Sequence, residues 1–148
     1  MEQTASLYGK MYGKLQLFCY RYFFGGFHRR HRDITASEAM SADVVHLMGS
    51  PTVSEFAEFV GISQPNATYK IKNLVKKGYL KKRTSRSDRR VCRLEVGEKY
   101  EQMEEKRRES FLRKMTEKLG KRFTPKEMEI AGRVLDTAYE IMEEEQML

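Results

Sequence analysis

"TVSEFAEFVGISQPNATYKIKNLVKKGYL", residues 52–80, reads as two short helices joined by a tight turn. Thr52 followed three residues later by Glu55 forms a capping box, in which hydroxyl and carboxylate satisfy each other's backbone N–H groups. Val53, Phe56, Ala57 and Val60 then recur at helical spacing as an inward face, and Gly61 ends the run. The second helix starts near Ser63 with Pro65 in its first turn, where a missing N–H costs nothing. It buries Ala67, Ile71, Leu74 and Val75 and stops at Gly78. Subtracting those positions leaves an outward face of Gln64, Pro65, Asn66, Thr68, Tyr69, Lys70, Lys72, Asn73 and Lys76. Amides, hydroxyls and cations together are the side chains that pair with base edges and phosphates.

Past Gly78 the period changes from helical to two. "LKKRT" (80–84) and "VCRLEV" (91–96) read as strands joined by the polar "SRSDRR" (85–90), with Cys92, Leu94 and Val96 on the inward face. Residues 81–93 hold seven Lys and Arg and a single acid, Asp88. A short helix pair followed at once by a cationic hairpin is the order of a winged helix-turn-helix. Its second helix enters the major groove, which is wide enough for one helix, and the ribbon beside it reaches phosphates or the minor groove.

Outward from this segment, "TASE" (35–38) and "TPKE" (124–127) repeat the capping-box spacing. Leu7, Tyr8, Met11, Leu15, Phe18, Cys19, Tyr22 and Phe23 recur at helical spacing before Gly25-Gly26. Ala39, Met40, Val44, Val45, Leu47 and Met48 make a second helix that stops at Gly49-Ser50-Pro51. From Glu98 a helix carries Tyr100, Met103, Phe111, Leu112, Met115 and Leu119, and a last one carries Met128, Val134, Leu135, Ala138, Ile141 and Met142. The expected fold is mainly α with a small β-hairpin: six helices, with the winged helix-turn-helix over 35–97. The first of these helices, and similarly the last, is too apolar around its circumference for a monomer's surface. One domain of 148 residues suffices for this.

The net charge of +7 is unevenly placed. Residues 1–50 hold six Lys/Arg against four Asp/Glu, 51–100 hold twelve against five, and 101–148 hold ten against twelve. A cationic middle implies a polyanionic partner. There is no apolar run long enough to span a membrane and no secretory leader, so a cytoplasmic protein is expected. Cys19 and Cys92 lack metal-ligand spacing and are read as packing residues. His28, His31 and His46, with Glu38, are read as surface groups rather than a metal site, since Arg29 and Arg30 would repel a divalent ion. No nucleophile elbow, HExxH, phosphate loop or dinucleotide fingerprint occurs, so neither catalysis nor a cofactor is expected.

The chain resembles the MarR family of bacterial transcriptional regulators, from "ITASEAMSADVVHLMG" (34–49) through residues 52–80 to "SDRRVCRLEVGEKY" (87–100) and "FTPKEMEIAGRVLDTAYEIM" (123–142). Asp88-Arg89-Arg90 matches the family's D-x-R wing signature. The resemblance implies that Asp88 braces the wing, Arg90 reaches toward the minor groove, and Arg86 and Arg89 contact phosphates, with Arg83 beside them. It also implies a recognition helix working through Ser63, Gln64, Pro65, Asn66, Thr68, Tyr69, Lys70, Lys72 and Lys76. Pro65 departs from the Ser or Lys more usual there. A homodimer joined through its terminal helices, in residues 1–33 and 98–148, on a pseudo-palindromic double-stranded operator is implied, with half-sites roughly 34 Å apart. The second helix resembles that of the family's fatty-acid-synthesis repressors, which implies a small hydrophobic or acyl effector. Tyr12, Phe18, Cys19, Tyr22 and Phe23 are the positions expected at effector or dimer contacts. Two alternatives remain open at this level: a redox sensor acting through Cys19, as in some relatives with tyrosines nearby, and a winged-helix protein-interaction module that reads no DNA.

Overall fold

The structure, a computed structural model, describes residues 2–25, 27–84 and 91–145. In chain order the elements are α1 (Glu2–Phe24), α2 (Phe27–Arg30), α3 (Ala36–Leu47), α4 (Val53–Val60), α5 (Gln64–Lys77), β1 (Leu80–Thr84), β2 (Cys92–Val96), α6 (Glu98–Gly120) and α7 (Pro125–Glu144). Among the described residues there are six helices of eight residues or more and one antiparallel hairpin, as the sequence leads one to expect. The chain forms two compact units, Met1–Glu101 and Gln102–Leu148.

Local chemistry sets the boundaries. Thr35, Thr52 and Thr124 each accept a hydrogen bond from the backbone N–H of the Glu three residues on, and each Glu carboxylate returns to the threonine N–H at 2.9, 2.6 and 2.7 Å respectively. These are three complete capping boxes. Gly61 and Gly78 end α4 and α5 in the left-handed conformation, with φ of 69° and 82°, which only glycine adopts without a steric cost.

The core of the first unit is built where the apolar faces of α3, α4 and α5 meet the hairpin. Ala39, Ala42, Val45, Phe56, Ala67, Ile71, Leu74, Leu80 and Leu94 are all buried. Each large member stabilises the fold by roughly 1.5–3 kcal/mol relative to exposure. The hairpin runs in register from Leu80 opposite Val96 to Thr84 opposite Cys92. Its outer strand is stitched to the start of α4: Leu94 N donates to Pro51 O at 2.8 Å, and Thr52 bridges Arg93. At the other end Gly97 N donates to Tyr79 O at 2.8 Å, and a Cβ on Gly97 would collide with the Gly78 carbonyl.

Several sequence expectations need correction. Val60, the last residue of α4, is 37% exposed rather than inward. The segment after Gly26 holds a one-turn helix the sequence does not announce, α2, whose Phe27 is buried. Phe27 sits 5.9 Å from the Phe23 ring and edge-on to Tyr22 at 5.7 Å. Arg30 closes the corner, donating to Tyr22 O at 2.7 Å and to Gly25 O at 3.0 Å. His31 is half-buried rather than a surface group: its ring stacks on Phe27 at 4.7 Å, with the Tyr22 hydroxyl 3.4 Å from Nε2. The apolar residues of α1 therefore divide. Phe23 packs inside the first unit, whereas Leu7, Tyr12 and Leu17 stay exposed. Cys19 is exposed too, not packed, and Cys92 is half-buried.

In the second unit α7 follows its capping box with none of its residues buried. Ile130, Val134, Leu135, Tyr139 and Ile141 are all exposed. No helix among the described residues is long and apolar enough to cross a membrane.

Candidate nucleic-acid interface

Burying Ala67, Ile71 and Leu74 fixes the rotation of α5, and the opposite face is turned to solvent. Ser63, Gln64, Pro65, Asn66, Thr68, Tyr69, Lys72 and Lys76 are exposed, Tyr69 to 68%. Ser63 occupies the N-cap position, yet its side chain makes no cap hydrogen bond. Lys70 and Asn73 are half-buried. Lys70 leans back toward α3, with Nζ 3.5 Å from Ser37 Oγ, so its ammonium sits at the margin of the face rather than its centre. Gln64 Nε2 donates to Ser54 Oγ at 3.1 Å, a link across the turn between α4 and α5.

The end of α5 is anchored by a capping carboxylate. Lys77 Nζ reaches Glu38 at 2.8 Å, so the residue that caps α3 also holds the last turn of the exposed helix. Burial would raise the Glu38 pKa, but Lys77 and the Thr35 backbone and hydroxyl outweigh it and hold the carboxyl below its usual range. Asp33 plays a comparable part nearby. It accepts from Lys99 at 2.8 Å and from the Tyr79 hydroxyl at 2.9 Å, and the Lys99 bond leads in depressing its pKa.

The wing's described part carries exposed Lys81, Lys82 and Arg83 on β1 and exposed Arg93 on β2. Glu95 braces the first strand, pairing with Arg83 at 3.0 Å and Lys81 at 3.7 Å. The Arg83 hydrogen bond keeps its carboxylate ionised below the usual range. Arg93 donates to Ser50 O at 3.1 Å and lies 3.8 Å from Glu55. Arg86, Asp88, Arg89 and Arg90 lie outside the described residues. Sequence reasoning missed Glu95 as a brace and Ser54 as a partner of Gln64. The signal for Glu95 was its register opposite Lys81; nothing local marks Ser54.

Tyr12, Phe18 and Cys19 are exposed along α1, while Tyr22 and Phe23 turn into the corner with α2. A small open cavity of about 230 Å³ lies between α3 and the hairpin, lined by Val45, His46, Ser50, Lys81, Glu95 and Glu101. No group of three or more His, Cys, Asp or Glu side chains among the described residues is placed to hold a metal. The side chain of His28 lies outside them.

A short helix pair with a polar, cationic face, backed by a cationic hairpin, defines a winged helix-turn-helix protein. Residues 44–92, about a third of the chain, match the family model for the MarR family. Among solved structures, FabT of Streptococcus pneumoniae in complex with DNA is similar at 22% identity and a TM-score of 0.60, covering 97% of each chain. Wild-type apo MarR of E. coli is 16% identical over 88% of this chain and 94% of its own, with a TM-score of 0.50. The transcriptional regulator SlyA is 12% identical over 93% and 95%, with a TM-score of 0.52. At such identities the likeness is one of fold. No curated protein matches the chain.

Proposed function

We propose that the chain is a homodimeric, sequence-specific DNA-binding repressor of the MarR type, working in the cytoplasm and answering to a small hydrophobic or acyl effector. The observation that carries the DNA reading is the outward face of α5. Once its apolar side is buried, what remains is Gln64, Asn66, Thr68, Tyr69, Lys72 and Lys76, beside a hairpin edge carrying Lys81, Lys82 and Arg83. A protein-interaction module needs no cations on both elements. A phosphate backbone attracts both.

Ser63, Gln64, Pro65, Asn66, Thr68 and Tyr69 take the base-edge and first-turn positions, while Lys72 and Lys76 neutralise phosphates. Lys70 makes a marginal contact. On the wing Arg90 enters the minor groove, Arg83, Arg86 and Arg89 lie along the backbone, and Asp88 shapes the turn. Residues 35–97 carry this binding region, and 1–33 and 98–148 supply dimer contacts. The exposed apolar side chains of α1 and α7 support that role. The complexes of FabT with DNA and of Staphylococcus aureus MepR with an oligodeoxyribonucleotide, the latter at a TM-score of 0.50, support the reading by analogy of fold.

Mobility shift of duplex DNA at two salt concentrations tests it. Affinity falls steeply with salt for a phosphate-gripping protein, and Arg90→Ala lowers the slope of log K against log salt by about one unit. Binding that is absent in dilute buffer overturns the proposal.

A further inference from the structure

We infer that Ser54 is a positioning residue for base reading, its hydroxyl aiming the Gln64 carboxamide so that the protein prefers adenine at one position of each half-site. The inference rests on α5 being the helix that meets DNA. Ser54 is the second residue of α4 and Gln64 the first of α5, and the 3.1 Å bond from Nε2 to Oγ spans the turn between them. First-turn residues of a recognition helix are the ones that reach base edges.

The bond uses one N–H of the carboxamide. The other N–H and the carbonyl oxygen remain, a donor and an acceptor side by side, and this pair complements N7 and the N6 amino group of adenine. Glutamine is among the side chains that lose most rotamer freedom when fixed, so a tether already made in the free protein removes part of that loss at binding. Ser54 is available for this task because Thr52 and Glu55 complete the cap of α4 without it. Both partners are exposed, so the bond adds little to folding stability; its consequence lies in orientation.

Bound duplexes selected from a randomised DNA library by the full chain, Ser54→Ala, Ser54→Thr, Gln64→Ala and the double variant test the idea. Wild type and Ser54→Thr, which keeps the hydroxyl, share an adenine preference at one half-site position. Ser54→Ala weakens that preference roughly 3- to 10-fold, a part of what one bidentate pair contributes. Gln64→Ala abolishes it, and Ser54→Ala changes nothing further in that background. The salt slope stays the same throughout. A uniform loss of affinity in Ser54→Ala with the preference intact marks a phosphate contact and overturns the inference, as does an unchanged Ser54→Ala or a preference that survives Gln64→Ala. Wild-type protein that shows no salt-sensitive duplex binding overturns the DNA reading itself, an outcome distinct from salt-sensitive binding with an unaltered preference.

Discussion

Asp33 and Tyr79 are joined by a 2.9 Å hydrogen bond from the phenolic hydroxyl to Oδ1, while Lys99 holds the other carboxylate oxygen at 2.8 Å. One carboxylate thus ties the segment before α3 to the residue between α5 and β1 and to the first turn of α6. Burial, then Asp33, raises the Tyr79 pKa above that of an ordinary tyrosine, so its hydroxyl stays a donor. Tyr79→Phe is expected to cost about 1 kcal/mol and Asp33→Ala about 1–3 kcal/mol, because the second leaves the hydroxyl without its acceptor. Urea denaturation midpoints check both. Equal, negligible effects would show the pair to be incidental.

Acid should weaken the fold. Asp33, Glu38, Glu55 and Glu127 all have carboxyl pKa values lowered by their partners. A depressed folded pKa gives stability that is present above the unfolded value and lost as pH falls through the folded one. The loss therefore begins near the ordinary carboxylate range of about 4 and grows below it. Denaturation followed from pH 7 to 3 tests this, and Asp33→Asn should flatten the curve.

The caps make a graded prediction. Thr52→Ala removes the hydroxyl that accepts from Glu55 N and should cost about 1 kcal/mol, with Thr52→Ser close to wild type. Circular dichroism melts of the two variants decide it.

Gly97→Ala should be worse than an ordinary surface substitution, since the new methyl meets the Gly78 carbonyl. A penalty of about 1–3 kcal/mol is expected, read as a lowered denaturant midpoint with helix content retained.

The proposed dimerisation through the terminal helices predicts that Leu135→Arg on the exposed apolar face of α7 yields a monomer by sedimentation while the first unit keeps its fold. A dimer that survives the substitution would move the interface elsewhere.

Local signals made most of the fold legible. The three threonine caps, Gly61 and Gly78 depend on residues a few positions apart, and the structure places helix ends beside them. The change of period after Gly78 marked the hairpin for the same reason. What could not be read is tertiary. Whether Val60 faces in or out depends on where α4 stops relative to the core, and α2 is a single turn with too few residues to show a period. The exposed side of α5 followed from subtracting its buried face, yet Ser54 meeting Gln64, or Glu38 reaching Lys77 from 39 residues away, depends on how helices cross.

The hairpin is also shielded against unwanted strand pairing, by different means on its two margins. On β2 the Leu94 amide is already taken by Pro51, so a stray chain finds that position filled. On β1 the open margin presents Lys81, Lys82 and Arg83, whose charge discourages another polypeptide from zipping alongside. A two-stranded ribbon so guarded is expected to resist aggregation at high protein concentration, and replacing those cations with valine or threonine is expected to expose the weakness.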